Sequence, residues 1–118
     1  MIVVSDTSPI CYLLLIGEIN LLPQLYNQVL IPRTVQQELS NAKSPAVVKT
    51  WIDNPPDWLI IETVSFDIDI DLEVLDLGER AAIILAEQKA ATLIIIDDGL
   101  GRQIARSRGL KVTGLLGV

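Results

Sequence analysis

The sequence predicts an α/β protein, a three-layer α/β/α sandwich in which helices cover both faces of a mainly parallel sheet. Short runs rich in Val, Ile and Leu alternate with helix-forming segments along the whole chain. Half of the 118 residues are hydrophobic and 20% are charged, which provides enough apolar surface for one buried core. Because no repeat, linker or low-complexity segment divides the chain, we expect one domain over residues 1–118.

Five segments have the composition of short strands, and most of the chain between them favours helices. The predicted strands cover residues 2–5, 29–31, 58–62, 91–96 and 111–113. The predicted helices cover residues 10–16, 21–26, 34–39, 44–51, 78–89 and 99–108. Residues 67–77 are ambiguous, since Asp and Ile alternate with a strand period at 67–71, whereas the chain from Leu72 onward looks helical.

Capping residues mark the starts of two of these helices. Pro9 suits the first turn of a helix that Asp6 or Ser8 caps. Thr34 and Gln37 have the spacing of a capping box. The sequence therefore predicts a side-chain cap at the start of each of these two helices.

The residue types present exclude several classes of site. The chain has no histidine, which excludes His-dependent triads and imidazole metal ligands. Its one cysteine, Cys11, has no partner for an internal disulfide, and one cysteine does not make a zinc finger. Any acid–base chemistry must therefore use carboxylates, water or metal ions.

Charge is distributed unevenly along the chain. The formal net charge of −6 argues against nucleic-acid binding, which normally depends on Lys and Arg. Residues 53–79 contain nine acids and no base, whereas the residues after Asp98 contain four bases and no acid. Arg102 and Arg106 lie four residues apart on one helix face, where Arg102 either contacts a substrate phosphate or forms a solvated edge.

The sequence shows no sign of secretion or of membrane insertion. Residues 1–8 lack a basic leader, and Asp6 interrupts the first apolar run. The longest apolar stretches, near residues 10–16 and 90–96, are shorter than the roughly 20 residues that cross a bilayer. We expect a cytoplasmic protein that does not associate with membranes.

Four acids occupy positions that favour a shared site. Asp6 and Asp97 each follow a predicted strand, and ligands of parallel sheets bind outside the carboxyl ends of the strands. Glu38 and Glu79 lie near the starts of helices. Alone, Asp6 and Asp97 suit helix caps, Glu79 suits a first-turn acid favoured by the helix dipole, and Glu38 suits a surface position. Their joint placement favours the shared site.

Four motifs in series carry a resemblance to a known family. They are VVSDTS at residues 3–8, PRTVQQEL at 32–39, LDLGERAAIILA at 75–86 and IIIDD at 94–98. In order and spacing they resemble a PIN domain over nearly the whole chain. The resemblance is strongest to the VapC-like subgroup with a Gly-Glu pair before the third helix and an Asp-Asp or Asp-Glu pair after the fourth strand.

The resemblance implies a metal-dependent ribonuclease fold. Its metal-binding and catalytic acids would be Asp6, Glu38, Glu79 and Asp97, which would hold Mg²⁺ or Mn²⁺. Ser8 and Asp98 would orient a ligand, a water or the substrate phosphate. The third acid of the family is more often Asp, and Glu79 is one methylene longer.

The chemistry of hard cations agrees with such a set of acids. Mg²⁺ prefers oxygen ligands and takes only one or two carboxylates besides waters and substrate phosphates, so four acids suffice for one or two ions. Two ions about 3.5 to 4 Å apart can activate water and stabilise both the attacking and the leaving oxygens of an in-line displacement. Clustered carboxylates without metal repel one another, which favours protonation of one of them.

Three functions are compatible with these observations. The resemblance implies hydrolysis of RNA by the toxin of a type II toxin-antitoxin pair, a homodimer that a small antitoxin holds inactive. A second hypothesis is a catalytically weak or inactive scaffold, since the family continues past residues 114–118 into one or two helices that this chain is expected to lack. A third, an aspartyl phospho-acceptor of the receiver type, is disfavoured because Lys111 lies at the start of the fifth strand instead of ending it.

Overall fold

The structure, a computed structural model, describes residues 1–65 and 69–115. Its five strands are β1 (Val3–Ser5), β2 (Val29–Pro32), β3 (Leu59–Glu62), β4 (Leu93–Ile95) and β5 (Val112–Thr113). Its α-helices are α1 (Thr7–Leu15), α2 (Leu21–Tyr26), α3 (Arg33–Leu39), α4 (Ala46–Asp53), α5 (Leu77–Gln88) and α6 (Gly99–Ser107), and a 3₁₀ turn covers Ile70–Leu72.

The five strands form one parallel sheet in the order β3-β2-β1-β4-β5. The chain moves outward from β1 to β3, then crosses back so that β4 pairs with the other side of β1. Register places Ser5 of β1 beside Ile95 of β4, so the carboxyl ends of these strands lie together. This reversal of strand order is where open parallel sheets bind their ligands.

Alternating side chains of the sheet build one apolar core on each face, which confirms the predicted three-layer sandwich. Val3 and Ile95 belong to a core that is covered by α1, α2, α3 and α4. Val4 and Ile94 point to the opposite face, where the core is completed by α5, the 3₁₀ turn and Ala105 of α6. The period of two residues in a strand produces this separation.

Predicted and observed elements differ mainly at their ends. Strand β4 is three residues long, shorter than the predicted 91–96. The predicted capping box of Thr34 and Gln37 is wrong, because α3 begins one residue earlier, after Pro32, with no side-chain cap. In the ambiguous segment, residues 70–72 form the 3₁₀ turn, and residues 67 and 68 lie outside the described residues.

Across residues 1–65 and 69–115, no helix combines the length and the apolar character that crossing a membrane requires.

Candidate metal centre

Asp6 lies at the centre of the site, directly after β1. Its backbone N–H donates to the carbonyl oxygen of Ile95, 3.0 Å away, which ties it to the neighbouring strand β4. Asp6 occupies the N-cap position of α1, yet its side chain makes no capping hydrogen bond. The residue is only 4% exposed, and its Oδ1 has no hydrogen-bond partner among the described residues. The capping role therefore does not account for this buried carboxyl group.

Two further carboxyl groups converge on Asp6. Asp6, half-buried Glu38 and exposed Asp76 each offer one oxygen, and these three oxygens lie within 4.8 Å of one another. Glu38 comes from the last turn of α3, so the predicted position near the start of that helix is wrong, and Asp76 is the N-cap residue of α5. We call these three residues the carboxylate triangle. Their spacing would allow one small cation to contact all three.

The orientation of Glu38 is fixed by two neighbours. The Thr7 hydroxyl donates a hydrogen bond to Glu38 Oε1. Gly78 lies so close to Glu38 that an added Cβ would be 2.9 Å from Glu38 Cδ and nearer still to Oε1. A side chain at position 78 would therefore displace the Glu38 carboxyl group from this position.

Asp76 and Glu79 form a capping box at the start of α5. The Glu79 backbone N–H donates to Asp76 Oδ1 at 2.8 Å, and the Asp76 backbone N–H donates to Glu79 Oε1 at 3.2 Å. The second oxygen of Glu79, Oε2, is buried and has no hydrogen-bond partner among the described residues. It lies 3.2 Å from where a Cβ on Gly101 would be. The role of first-turn acid thus explains one oxygen of Glu79 and leaves the other without a partner.

Burial and the charges of neighbouring acids make Asp6 and Glu79 hard to ionise. Burial raises the pKa of Asp6 from 3.8 to about 7, a hydrogen bond from the Thr7 backbone opposes that rise, and the charges of Asp76, Glu38 and Asp98 add to it. The pKa of Glu79 rises from 4.5 to about 8, first through burial and then through its interactions with Asp76 and Asp6. The surroundings of Asp6 and Glu79 therefore oppose the ionisation of these two carboxyl groups.

No Lys or Arg side chain in the described part of the chain forms a salt bridge with these acids. The salt bridges that the structure contains there join Lys89 to Glu62, and Arg108 to Asp69 and Glu87. Hard divalent cations prefer carboxylate oxygens, so the donor set fits Mg²⁺ or Mn²⁺. The two buried oxygens without partners support the same conclusion, since buried polar atoms are normally satisfied.

Asp97 and Asp98 are not members of the carboxylate triangle, and each makes a different backbone contact. Asp97 Oδ1 accepts a hydrogen bond from the Leu115 backbone N–H at 2.6 Å, which ties the segment after β5 to the end of β4. Asp97 does not cap the following helix. Asp98 does so, through Oδ2 and the Gly101 N–H at 2.8 Å. Asp98 also lies close enough to Asp6 for its charge to raise the pKa of that group.

The remaining predicted residues lie near the site but outside the triangle. Arg102 is half-buried, and its guanidinium donates to the Asp97 carbonyl oxygen, so it is not the solvated edge that was one of its two interpretations. Ser8 is exposed in the first turn of α1. Its neighbour Thr7, which the motif reasoning passed over, makes the contact with Glu38.

The structure thus brings Asp6, Glu38 and Glu79 together and adds Asp76. Asp76 was missed because the sequence reasoning started the helix at Gly78. The signal that identifies it is the Asp-x-x-Glu spacing of residues 76 and 79, which is typical of a capping box.

Comparison with known proteins gives a clear family. No curated protein matches the chain. The family model described as PIN domain matches residues 2–118, nearly the full length. Proteins of this family are generally metal-dependent nucleases, and the carboxylate triangle agrees with that chemistry. The five-stranded parallel sheet, with the carboxylate triangle beside the end of β1, agrees with this match. Because the family model covers nearly the whole chain, the chain belongs to the PIN domain family.

Proposed function

We propose that this protein is a metal-dependent ribonuclease that hydrolyses RNA phosphodiester bonds with water. The observation that carries the proposal is the carboxylate triangle, whose oxygens lie within 4.8 Å of one another around a buried Asp6. Among the described residues no cation of the chain neutralises these acids. A cation from solution is therefore the partner that best fits them.

In this proposal Asp6, Glu38 and Asp76 hold Mg²⁺ or Mn²⁺. A bound divalent ion supplies positive charge for the scissile phosphate and lowers the pKa of water. Thr7 and Gly78 keep Glu38 in place, and the capping box keeps Asp76 in place. The cost of bringing charged groups together is thus met by the folded protein before substrate arrives.

Glu79 and Asp97 complete the proposed site from two sides. Glu79 presents the buried Oε2 beside Gly101, where it accepts hydrogen bonds from a ligand or from water. Asp97 acts from the rim, with Oδ1 held by the Leu115 N–H. Ser8, Asp98 and Arg102 surround these groups and orient water or the substrate phosphate.

We further propose that the protein is a VapC-like toxin of a type II toxin-antitoxin pair, a cytoplasmic homodimer that a small antitoxin inhibits. The resemblance of its motifs supports this assignment. Exposed apolar side chains on α1, at its C-cap and on α2 support protein partners, because Tyr12, Leu15, Ile16 and Leu25 are each about half exposed. Size-exclusion chromatography with light scattering tests the dimer directly.

Cleavage of a labelled single-stranded RNA with added Mn²⁺ tests the activity. We expect the wild type to cleave, and Asp6→Asn, Glu38→Gln and Asp76→Asn to lose at least about 100-fold in rate, more than outer-shell changes typically cost. Asp76→Asn is informative because Asn still caps a helix while removing the charge. Asp97→Asn is expected to lose activity as well.

Two results would reject parts of this proposal. Cleavage that is unaffected by Asp6→Asn and Glu38→Gln would reject the site. A folded wild type that binds Mn²⁺ yet cleaves no RNA would favour the scaffold interpretation.

A further inference from the structure

A shallow open cleft at the C-terminal end of α3 shares one residue with the carboxylate triangle. It has a volume of about 300 Å³ and is lined by Glu38, Asn41, Lys43 and Ser44. Glu38 belongs to both the cleft and the triangle. A ligand that extends from the triangle in this direction therefore meets the loop between α3 and α4.

This loop is held firmly against the end of α3. The Ser44 hydroxyl donates to the Glu38 carbonyl oxygen at 3.1 Å, and the Asn41 N–H donates to the same oxygen at 3.2 Å. Asn41 Oδ1 accepts from the Lys43 N–H at 2.9 Å, and its carbonyl oxygen accepts from the Ser44 N–H at 2.9 Å. These bonds fix the backbone of Lys43 relative to the residue that supplies a carboxylate to the triangle.

The Lys43 ammonium group, unlike the guanidinium groups of Arg102 and Arg80, is not engaged by a backbone carbonyl oxygen among the described residues. Arg102 donates to the Asp97 carbonyl, and Arg80 donates to the Leu75 carbonyl at 2.8 Å. Lys43 is exposed, and within residues 1–65 and 69–115 its ammonium group forms no salt bridge. An ammonium on a flexible stem suits a phosphate contact that needs charge more than fixed geometry.

We propose that Lys43 binds a phosphate of the substrate strand beside the scissile one, in the cleft that it shares with Glu38. This inference rests on the proposed ribonuclease function and deepens it by assigning a backbone-binding subsite. Asn41 and Ser44 position the lysine and do not read bases. The net charge of −6 makes such a local cation more important, since the molecule as a whole repels RNA.

Steady-state cleavage of a single-stranded 12-nucleotide RNA, labelled with a fluorophore and a quencher, tests the subsite in wild type, Lys43→Met and Lys43→Arg. Lys111→Met is the matched control, because Lys111 is equally exposed but precedes β5, at the opposite edge of the sheet. For Lys43→Met we expect KM to rise about fivefold with kcat within about twofold, as befits one exposed charge-assisted contact. For Lys43→Arg, which keeps the charge, we expect a KM close to that of the wild type.

The salt dependence of KM distinguishes a phosphate contact of Lys43 from a purely structural role, because only loss of the contact changes it. Loss of one phosphate contact should reduce the slope of log KM against log salt by about 0.7 in Lys43→Met. The slope for Lys111→Met should match that of the wild type. Lys43→Met with the KM and slope of Lys111→Met would overturn the proposal, and so would a fall in kcat alone.

A binding measurement separates failure of the subsite from failure of the proposed function. Fluorescence anisotropy with the same RNA, labelled only with the fluorophore, in the presence of Ca²⁺ reports binding without requiring cleavage. A wild type that binds RNA in Ca²⁺ but does not cleave it in Mn²⁺ would contradict the ribonuclease, while weaker binding by Lys43→Met in Ca²⁺ would still support the subsite. Equal binding by wild type and Lys43→Met would overturn the subsite even where cleavage is observed.

Discussion

In the described part of this protein we compare two places where carboxylates gather, of which only one carries its own counter-charge. In what we call the Arg108 cluster, Arg108 lies 2.9 Å from Asp69 and 2.7 Å from Glu87, and these acids raise its pKa. In the carboxylate triangle, three acids lie within 4.8 Å of one another, and among the described residues none forms a salt bridge. Within the described residues, carboxylates are thus paired with a cation of the protein in the Arg108 cluster and lack such a cation in the carboxylate triangle.

The difference between the two places shows how an anionic site can be distinguished from an ordinary acidic surface. The acids of the Arg108 cluster are about one-third exposed and are paired, so water and the guanidinium share the work of stabilising them. Asp6 is 4% exposed with an oxygen that lacks a partner. Buried negative charge without a partner is costly, and a site that retains it favours a ligand of positive charge.

The largest expected contrast is between Asp6→Asn and Asp69→Asn. Asp6→Asn should weaken Mn²⁺ binding at pH 8 by at least about 100-fold, since a ligand is lost, and stabilise the metal-free protein by about 1 to 3 kcal/mol because a buried charge is removed. Asp69→Asn should leave Mn²⁺ binding unchanged and lower stability slightly. Calorimetric titration and thermal unfolding measure both effects. Equal Mn²⁺ affinities of the two variants would contradict the comparison.

The pH dependence of the metal-free protein sharpens the same contrast. The folded protein holds protons on Asp6 up to about pH 7 and on Glu79 up to about pH 8, whereas the unfolded chain releases them near 3.8 and 4.5. Stability from these protons is complete below about pH 4 and is lost as pH rises through the folded values, at up to about 1.4 kcal/mol per pH unit for each group.

We therefore expect the melting temperature of the metal-free wild type to fall between pH 5 and pH 8. Addition of Mn²⁺ at pH 8 should recover the lost stability, because the ion binds the ionised carboxylates of the folded state. In Asp6→Asn the fall with pH should be shallower. A melting temperature that is constant or rising over this range would show that the acids at β1 are not desolvated.

A smaller effect is expected from Gly78→Ala, with Gly99→Ala as its control. A Cβ at Gly78 meets the Glu38 carboxyl group, whereas a Cβ at Gly99 meets no heavy atom within 4 Å. Both residues lie in the first turns of helices, where Ala is favoured over Gly in propensity. Displacement of Glu38 should weaken Mn²⁺ binding about tenfold in Gly78→Ala only. Equal affinities in the two variants would mean that the position of Glu38 does not matter for the ion.

The fold was largely predictable because its signals are local. Each strand is a short aliphatic run, and the alternation with helices restricts the chain to a parallel sheet covered on both faces. The errors came from ends of elements. Pro32 is the N-cap residue of α3 and Arg33 its first residue, so Thr34 lies inside the helix and does not cap it.

The site was predictable only in part, because side-chain partners depend on contacts that the sequence does not contain. Asp6 and Glu38 were expected at the site and meet there. Asp76 was missed because the helix was predicted to begin at Gly78; its capping-box spacing with Glu79 is visible in the sequence, but its approach to Asp6 is not. Asp97 was expected from its place after β4, yet one of its oxygens is bound by the Leu115 N–H, a contact between segments 18 residues apart.

Anomalous scattering from a crystal of the wild-type protein soaked in Mn²⁺ tests the central claim most directly. We expect a manganese peak about 2 Å from carboxylate oxygens of Asp6, Glu38 and Asp76, and no such peak in a crystal of Asp6→Asn soaked in the same way. A peak only at the Arg108 cluster or at other surface acids, with none inside the carboxylate triangle, would contradict it.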